Sequence, residues 1–187
     1  ELTTNNITWL TETVSPFLSM ITDVLNKESV NLYAAHLVKE LGMRYSKRGT
    51  TAAGVKVIRE FLGSSGIDTT GMFIEDGSGL SSRNGINSEE LVKLLIFMRN
   101  RGKYFDLFYS SLPDAGRNGT LTHYFTDPVF DSNLKAKSGS MTRVRCYAGY
   151  FTTYSGRHLA FSMLINNYQG TSRPVINICA HFLEFLH

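Results

Sequence analysis

Three strand-forming segments follow one another in this chain, at Leu134–Thr142, Val144–Thr153 and His158–Ile165. Ser155-Gly156 makes a short connection between the last two. Connections this short make the strands antiparallel neighbours, because a parallel pair needs a crossover of a dozen or more residues. In the third segment Leu159, Phe161, Met163 and Ile165 alternate with Ala160, Ser162 and Leu164. Both sets are largely apolar, so helices are expected on both faces of the sheet. At the centre of the first segment lies Lys137-Ser138-Gly139. A cation, a hydroxyl and a residue without a side chain sit side by side in extended chain. That is the pattern of a strand edge lining a cleft rather than of a solvated turn.

The helices expected around this sheet are legible from apolar spacing. Ser15-Pro16 reads as a cap and first position. Val30, Ala34, Leu37, Val38 and Leu41 mark one helix face, with Gly42 as its C′ residue. Val55, Ile58, Phe61 and Leu62 mark another, closed by Gly63. Asn87 and Glu90 form a capping-box-like pair before Leu91, Leu94, Leu95 and Met98. The last helix starts at Ser172 and Pro174 and carries Val175, Ile178, Cys179, Phe182 and Leu183. Phe105, Phe108 and Tyr109 have helical spacing and read as core. Residues 1–14 read as an extended lead-in, with Ile7 and Trp9 on one face.

Composition excludes several function classes. Apolar residues make up 42 % and charged residues 19 %, enough to bury a core, and the net charge is +3. No Lys/Arg run suggests nucleic acid. No apolar stretch nears the roughly 20 residues of a membrane span. No Cys/His spacing suits zinc, and no metal or cofactor is expected. Cys146 and Cys179 fit either a disulfide or two buried thiols. The chain begins at Glu1 without Met or signal peptide, and reads as a processed product or an excised segment.

Several stretches together resemble one family. Asp76-Gly77-Ser78-Gly79-Leu80-Ser81, then Asn84, is similar to the D-G-S-G-L-S…N segment of the D-Ala-D-Ala carboxypeptidases/endopeptidases among the class C low-molecular-mass penicillin-binding proteins. Leu112-Pro113-Asp114-Ala115-Gly116, then Gly119-Thr120-Leu121, resembles its L-P-x-A-G…G-T-L segment. Ala136-Lys137-Ser138-Gly139-Ser140, then Ala148-Gly149-Tyr150, resembles A-K-T-G-[ST]…A-G-[YF], which holds the K-[ST]-G motif of serine penicillin-binding proteins and β-lactamases. Upstream, Ser15-Pro16 with Leu18, Asn26-Lys27, Ser29 and Asn31-Leu32-Tyr33-Ala34 also match.

The resemblance implies an α/β protein, an antiparallel sheet flanked by helices, forming the C-terminal part of a single β-lactamase/transpeptidase-like domain over residues 1–187. It implies a serine peptidase of peptidoglycan metabolism, working through an acyl-enzyme outside the cytoplasmic membrane, with peptidoglycan peptides and β-lactam antibiotics as partners. Ser81, Asn84 and Lys137 are the implied catalytic residues; Ser82, Ser138, Gly139 and Ser140 are the implied substrate-binding ones. A literal S-x-N reading, Ser82-Arg83-Asn84, is the alternative to Ser81 with Asn84. The family's nucleophile lies in S-x-x-K at a helix start, whereas the literal match here, Ser132-Asn133-Leu134-Lys135, runs into a strand. The nucleophile is therefore expected outside this chain, which alone is expected to be inactive. Two further strands of the full enzyme are expected to complete the sheet beside His158–Ile165; without them that edge is open to a second copy. Arg143, Arg145, Tyr147 and Tyr150 read as structural or rim residues, and His36 and His181 as packing or surface ones. The rival readings are a β-lactamase or esterase of the same superfamily and a non-catalytic binding module.

Overall fold

The computed structural model describes residues 10–187. Ile7 and Trp9 lie outside them. Residues 10–17 carry no regular structure. The helices are α1 (Leu18–Glu28), α2 (Asn31–Ser46), α3 (Thr51–Ser64), α4 (Ser88–Arg101), α5 (Phe105–Ser111) and α6 (Arg173–Phe185). The strands are β1 (Leu134–Met141), β2 (Val144–Thr152) and β3 (His158–Asn166), antiparallel in the order β1-β2-β3.

Strand alternation sorts the sheet residues between two cores. On one face Leu134, Ala136, Tyr147, Phe151 and Phe161 meet Ile176, Cys179 and Leu183 of α6, together with Leu121, Phe125 and Phe130 of the preceding segment. On the other face Tyr150, Ala148 and Ala160 meet Leu95 of α4 and Phe105, Phe108 and Tyr109 of α5. The Phe105 and Tyr109 rings approach Tyr150 edge-on, at 5.4 and 5.6 Å between centroids. The Tyr150 hydroxyl donates to Leu95 O at 2.8 Å, tying the sheet to α4. Helices on both faces are as the apolar alternation requires.

Three helix boundaries differ from those expected. The first helix begins at Leu18 rather than at Pro16, because the Phe17 carbonyl is the first acceptor, taking the Met20 and Ile21 N–H groups. Gly42 does not end α2, which continues to Ser46 and closes at Lys47 in the left-handed region. Gly42 is instead a contact point: an added Cβ would lie 2.8 Å from Gly54 N on α3. Gly63 likewise falls inside α3. Asn87 caps α4 as expected, accepting from Glu90 N at 2.8 Å, but Glu90 turns to Lys93 rather than back to Asn87. Cys146 and Cys179 are both free thiols.

The outer edge of β1 is covered only in its first half. Ala115 N–H donates to Leu134 O and Ala136 N–H to Pro113 O, so the 113–115 segment lies along the strand. Residues of one parity in an antiparallel ladder direct their backbone groups to the same edge. Ser138 and Ser140 share the parity of Ala136, so their N–H and C=O groups face the uncovered edge, where the cleft begins.

Candidate active site

The cleft has a volume of about 650 Å3. Lys137 to Met141 of β1 form one wall, and Ser29, Val30 and Asn31 form the turn opposite. Ser78, Gly79 and Leu80 close a third side, and Thr120 and Tyr124 a fourth. No carboxylate lines it among the described residues.

Lys137 is at its centre. Its Nζ donates to Ser29 Oγ at 2.8 Å and to Ser138 O at 2.8 Å. Burial lowers the Lys137 ammonium to about 8. Ser29 occupies a strained position: it ends α1 in the left-handed region, with φ 55°, and its N–H returns to Leu25 O. A non-glycine residue there costs on the order of 1–3 kcal/mol, held only by its surroundings. The sharp turn lets α2 begin two residues later, at Asn31, with both Ser29 and Asn31 on the cleft.

This turn differs from the sequence reading. Ser29-Val30-Asn31 is a literal S-x-N, and it is the one that meets Lys137. Ser81, Ser82 and Asn84 do not line the cleft. Two of them are staples inside their own loop. Ser81 Oγ accepts from Arg83 N–H, and Asn84 Oδ1 accepts from Glu75 N–H at 2.7 Å. The hub of that loop is Asp76, which accepts from the Gly79 and Ser81 N–H groups at 2.6 and 2.8 Å and from the Asn84 amide and Ser78 hydroxyl at 3.3 Å each. Burial pushes the Asp76 carboxyl up, but these hydrogen bonds together outweigh it and hold it below the usual range. The signal available in the sequence was the S-x-N spelling just before an apolar helix stripe, which the richer Gly/Ser loop at 77–82 obscured.

Ser138, Gly139 and Ser140 all line the cleft. Ser138 Oγ donates to Thr120 Oγ1 at 2.7 Å. Thr120 is set by Gly119, whose φ of +55° and 2.6 Å approach of an added Cβ to Lys27 O admit only glycine. Cys146 stands opposite Gly139 and also reaches the cleft, but burial pushes its thiol up, which keeps it protonated. Ser132 lies in the turn before β1 with φ 62°, and Lys135 is paired with Asp114, so this S-x-x-K is not a nucleophile dyad. Among the described residues no His/Cys/Asp/Glu cluster suits a metal ion, and no helix is long and apolar enough to cross a membrane.

A second, apolar groove of about 400 Å3 joins the cleft at Lys137, Ser138 and Gly139. It runs between α4 and the sheet, past Leu91, Leu94, Met98 and Leu164.

The model of the D-Ala-D-Ala carboxypeptidase 3 (S13) family matches residues 3–182. The chain is 33 % identical over 166 residues to a D-alanyl-D-alanine carboxypeptidase of Actinomadura sp. (strain R39), covering 86 % of this chain and 30 % of that relative. The crystal structure of penicillin binding protein 4 (dacB) from Haemophilus influenzae superposes with a TM-score of 0.84 at 25 % identity, covering 89 % of this chain and 39 % of that one. A class A beta-lactamase from Bacteroides cellulosilyticus, 17 % identical, shares the fold with a TM-score of 0.70 over 89 % of this chain and 61 % of that one. The chain thus spans about a third of the length of such carboxypeptidase relatives. With its three-stranded sheet flanked by helices and its Lys137-Ser138-Gly139 edge, the chain belongs to the D-Ala-D-Ala carboxypeptidase 3 (S13) family.

Proposed function

We propose that this chain supplies one wall of the acyl-transfer cleft of a serine D-Ala-D-Ala carboxypeptidase/endopeptidase that trims peptidoglycan outside the cytoplasmic membrane and is acylated by β-lactams. The observation that carries the reading is the 2.8 Å hydrogen bond from Lys137 Nζ to Ser29 Oγ. It joins the K-S-G strand to an S-x-N turn from the opposite wall. Support for β-lactam binding comes from the Haemophilus influenzae protein, which is 24 % identical and has a structure complexed with a β-lactam.

A serine outside the described residues attacks the carbonyl of the penultimate D-Ala and forms an ester. The apolar groove that ends at Lys137 is where the segment bearing this serine seats. Ser29 passes the proton to the leaving amine, with Lys137 supplying positive charge beside it. Asn31 orients the substrate amide. The Ser140 N–H, on the uncovered edge of β1, donates to the developing oxyanion. One such donor contributes on the order of 2.7–4 kcal/mol in the transition state. Ser138 holds the substrate carboxylate, and Gly139 lets the peptide lie close to the strand. Water then releases the acyl group.

A labelled penicillin tests this. The full-length protein takes one label per chain, and these 187 residues alone take none. Ser29→Gly keeps the left-handed turn and removes only the hydroxyl. It slows acylation by about 10²–10⁴-fold, the usual worth of a positioned proton-transfer group. A stable adduct on the 187-residue chain alone overturns the placement of the nucleophile. Unchanged acylation in Ser29→Gly overturns the role of Ser29.

A further inference from the structure

A further concavity, of about 530 Å3, lies between α6 and the 123–130 segment. The reaction just described makes no use of it. Arg173, Asn177, His181 and Glu184 recur along α6 at steps of four, four and three, so they form one stripe of the helix. At about 1.5 Å per residue this stripe is roughly 16 Å long, which makes the concavity a groove. Its floor is apolar, formed by the buried Phe125, Phe130 and Ile176. Its rims are polar, with the α6 stripe on one side and Thr126 and Asp127 on the other.

The rim groups are available to a ligand. Arg173, Asn177 and His181 are exposed. Among the described residues no hydrogen bond or ion pair engages the side chain of Arg173, Asn177, His181 or Glu184. They offer donors and acceptors of both charges in succession. A ligand strongly charged in one sense would meet a repelling group on this rim. A neutral ligand rich in hydroxyls and amides finds a partner at each step. The apolar floor suits the C–H face of a pyranose ring, and the groove is long enough for a short run of such rings.

The groove also adjoins the cleft. Tyr124 lines both, so one tyrosine side chain separates them. The Arg145 guanidinium lies 4.8 Å from the Tyr124 ring centre and holds that dividing wall in place. A peptide bound in the cleft needs only a few extended residues, at about 3.3–3.6 Å each, to carry its other end into the groove.

We propose that this groove is a saccharide subsite, which binds the amino-sugar strand that carries the peptide held in the cleft. This deepens the function proposed above and rests on it. Asn177 and His181, at the middle of the stripe, are specificity-determining residues for that strand.

The test uses the full-length protein and two substrates with the same peptide ending in D-Ala-D-Ala, one bare and one carrying an N-acetylglucosaminyl-N-acetylmuramyl disaccharide. Release of D-alanine is followed. In wild type the disaccharide substrate has a KM about 10–100-fold lower at similar kcat, the pattern of hydrogen bonds made remote from the reacting bond. Asn177→Ala combined with His181→Ala raises that KM to the value of the bare peptide and leaves both constants of the bare peptide unchanged. Ile178→Ala, exposed on α6 outside the groove, changes neither substrate. A merely structural role for Asn177 and His181 would move both substrates together. Equal KM values in wild type overturn the subsite, and so does an unchanged ratio in the double variant. Calorimetry with tetra-N-acetylchitotetraose needs neither the variant nor the reaction: wild type binds it, and absence of binding overturns the subsite. Penicillin labelling runs in parallel. Labelling without saccharide binding counts against the subsite alone. Saccharide binding without labelling counts against the acyl-transfer reading and leaves the groove a saccharide site.

Discussion

Lys137 reaches Ser29 across 108 positions of sequence, and its burial makes it a titrating group in an unusual range. Its folded value of about 8 lies below the ordinary 10.5. Below pH 8 both folded and unfolded chains carry the proton, and the cost of burying it is fully felt. Between about 8 and 10.5 the unfolded chain binds more protons than the folded one, so this group makes stability rise with pH. The half-buried thiol of Cys146 and the buried thiol of Cys179 are shifted up by burial and act in the opposite sense. The expected outcome is therefore a difference: wild type gains stability relative to Lys137→Met between pH 8 and 10.5, measured by urea midpoints. A difference that stays flat with pH contradicts a buried, shifted Lys137. The lysine was legible in the sequence because its Ser-Gly neighbours are contiguous with it. Ser29 was half legible. Its S-x-N spelling is local, but its partner, and the left-handed turn that aims it, depend on the packing of α1 against α5 and the 119–121 turn, which no short window contains.

At the scale of elements, the 76–84 loop holds itself together with its own hydrogen bonds and brings Ser78–Leu80 to the cleft. Asp76 gathers four hydrogen bonds inside it. Gly77 presses the loop onto α2: an added Cβ would lie 2.5 Å from a Val38 methyl and 2.6 Å from Ala34 O. Its glycine was legible as a turn signal, but its true constraint is contact with a helix some forty positions upstream. Gly42 and Gly54 show the same thing between α2 and α3, where a Cβ on Gly54 would fall 1.8 Å from Val38 O. Gly77→Ala is expected to cost about 1–3 kcal/mol by overpacking and to displace Ser78–Leu80 from the cleft. Asp76→Ala leaves the Gly79 and Ser81 N–H groups without their acceptor. Faster hydrogen exchange at those two amides, with the α4 amides unchanged, is the expected result. The Asp76 carboxyl titrates below its ordinary value, so its contribution is present above about pH 4 and is lost as pH falls through the lower folded value. Protection of the same amides should fade in that acid range, and persistence of full protection there would show that Asp76 is not the hub.

For the whole molecule, the sheet was the most legible feature, since periodicity and short turns fix its three strands and both buried faces. What no periodicity reveals is how the sheet ends. One edge, at β1, is half covered by the 113–115 segment and opens into the cleft. The other edge, at β3, has no strand partner among the described residues. A row of unpaired backbone groups is a template for another strand. Phe182 and Phe185 of α6 are 53 % and 87 % exposed, so the molecule also presents apolar surface elsewhere. The 187-residue chain alone is expected to self-associate through β3. Sedimentation velocity over a hundredfold range of concentration should show the shift from monomer to dimer. Hydrogen exchange at the β3 amides should slow in step, because pairing protects the outward N–H groups. The full-length protein provides the contrast: if its additional segments lie along this edge, its β3 amides are protected at every concentration and it does not dimerise there. A 187-residue chain that stays monomeric throughout, with β3 amides exchanging freely, would show that an open edge of this length is tolerated. The case for a second copy at β3 would then fall, while the cleft at the opposite edge would be unaffected.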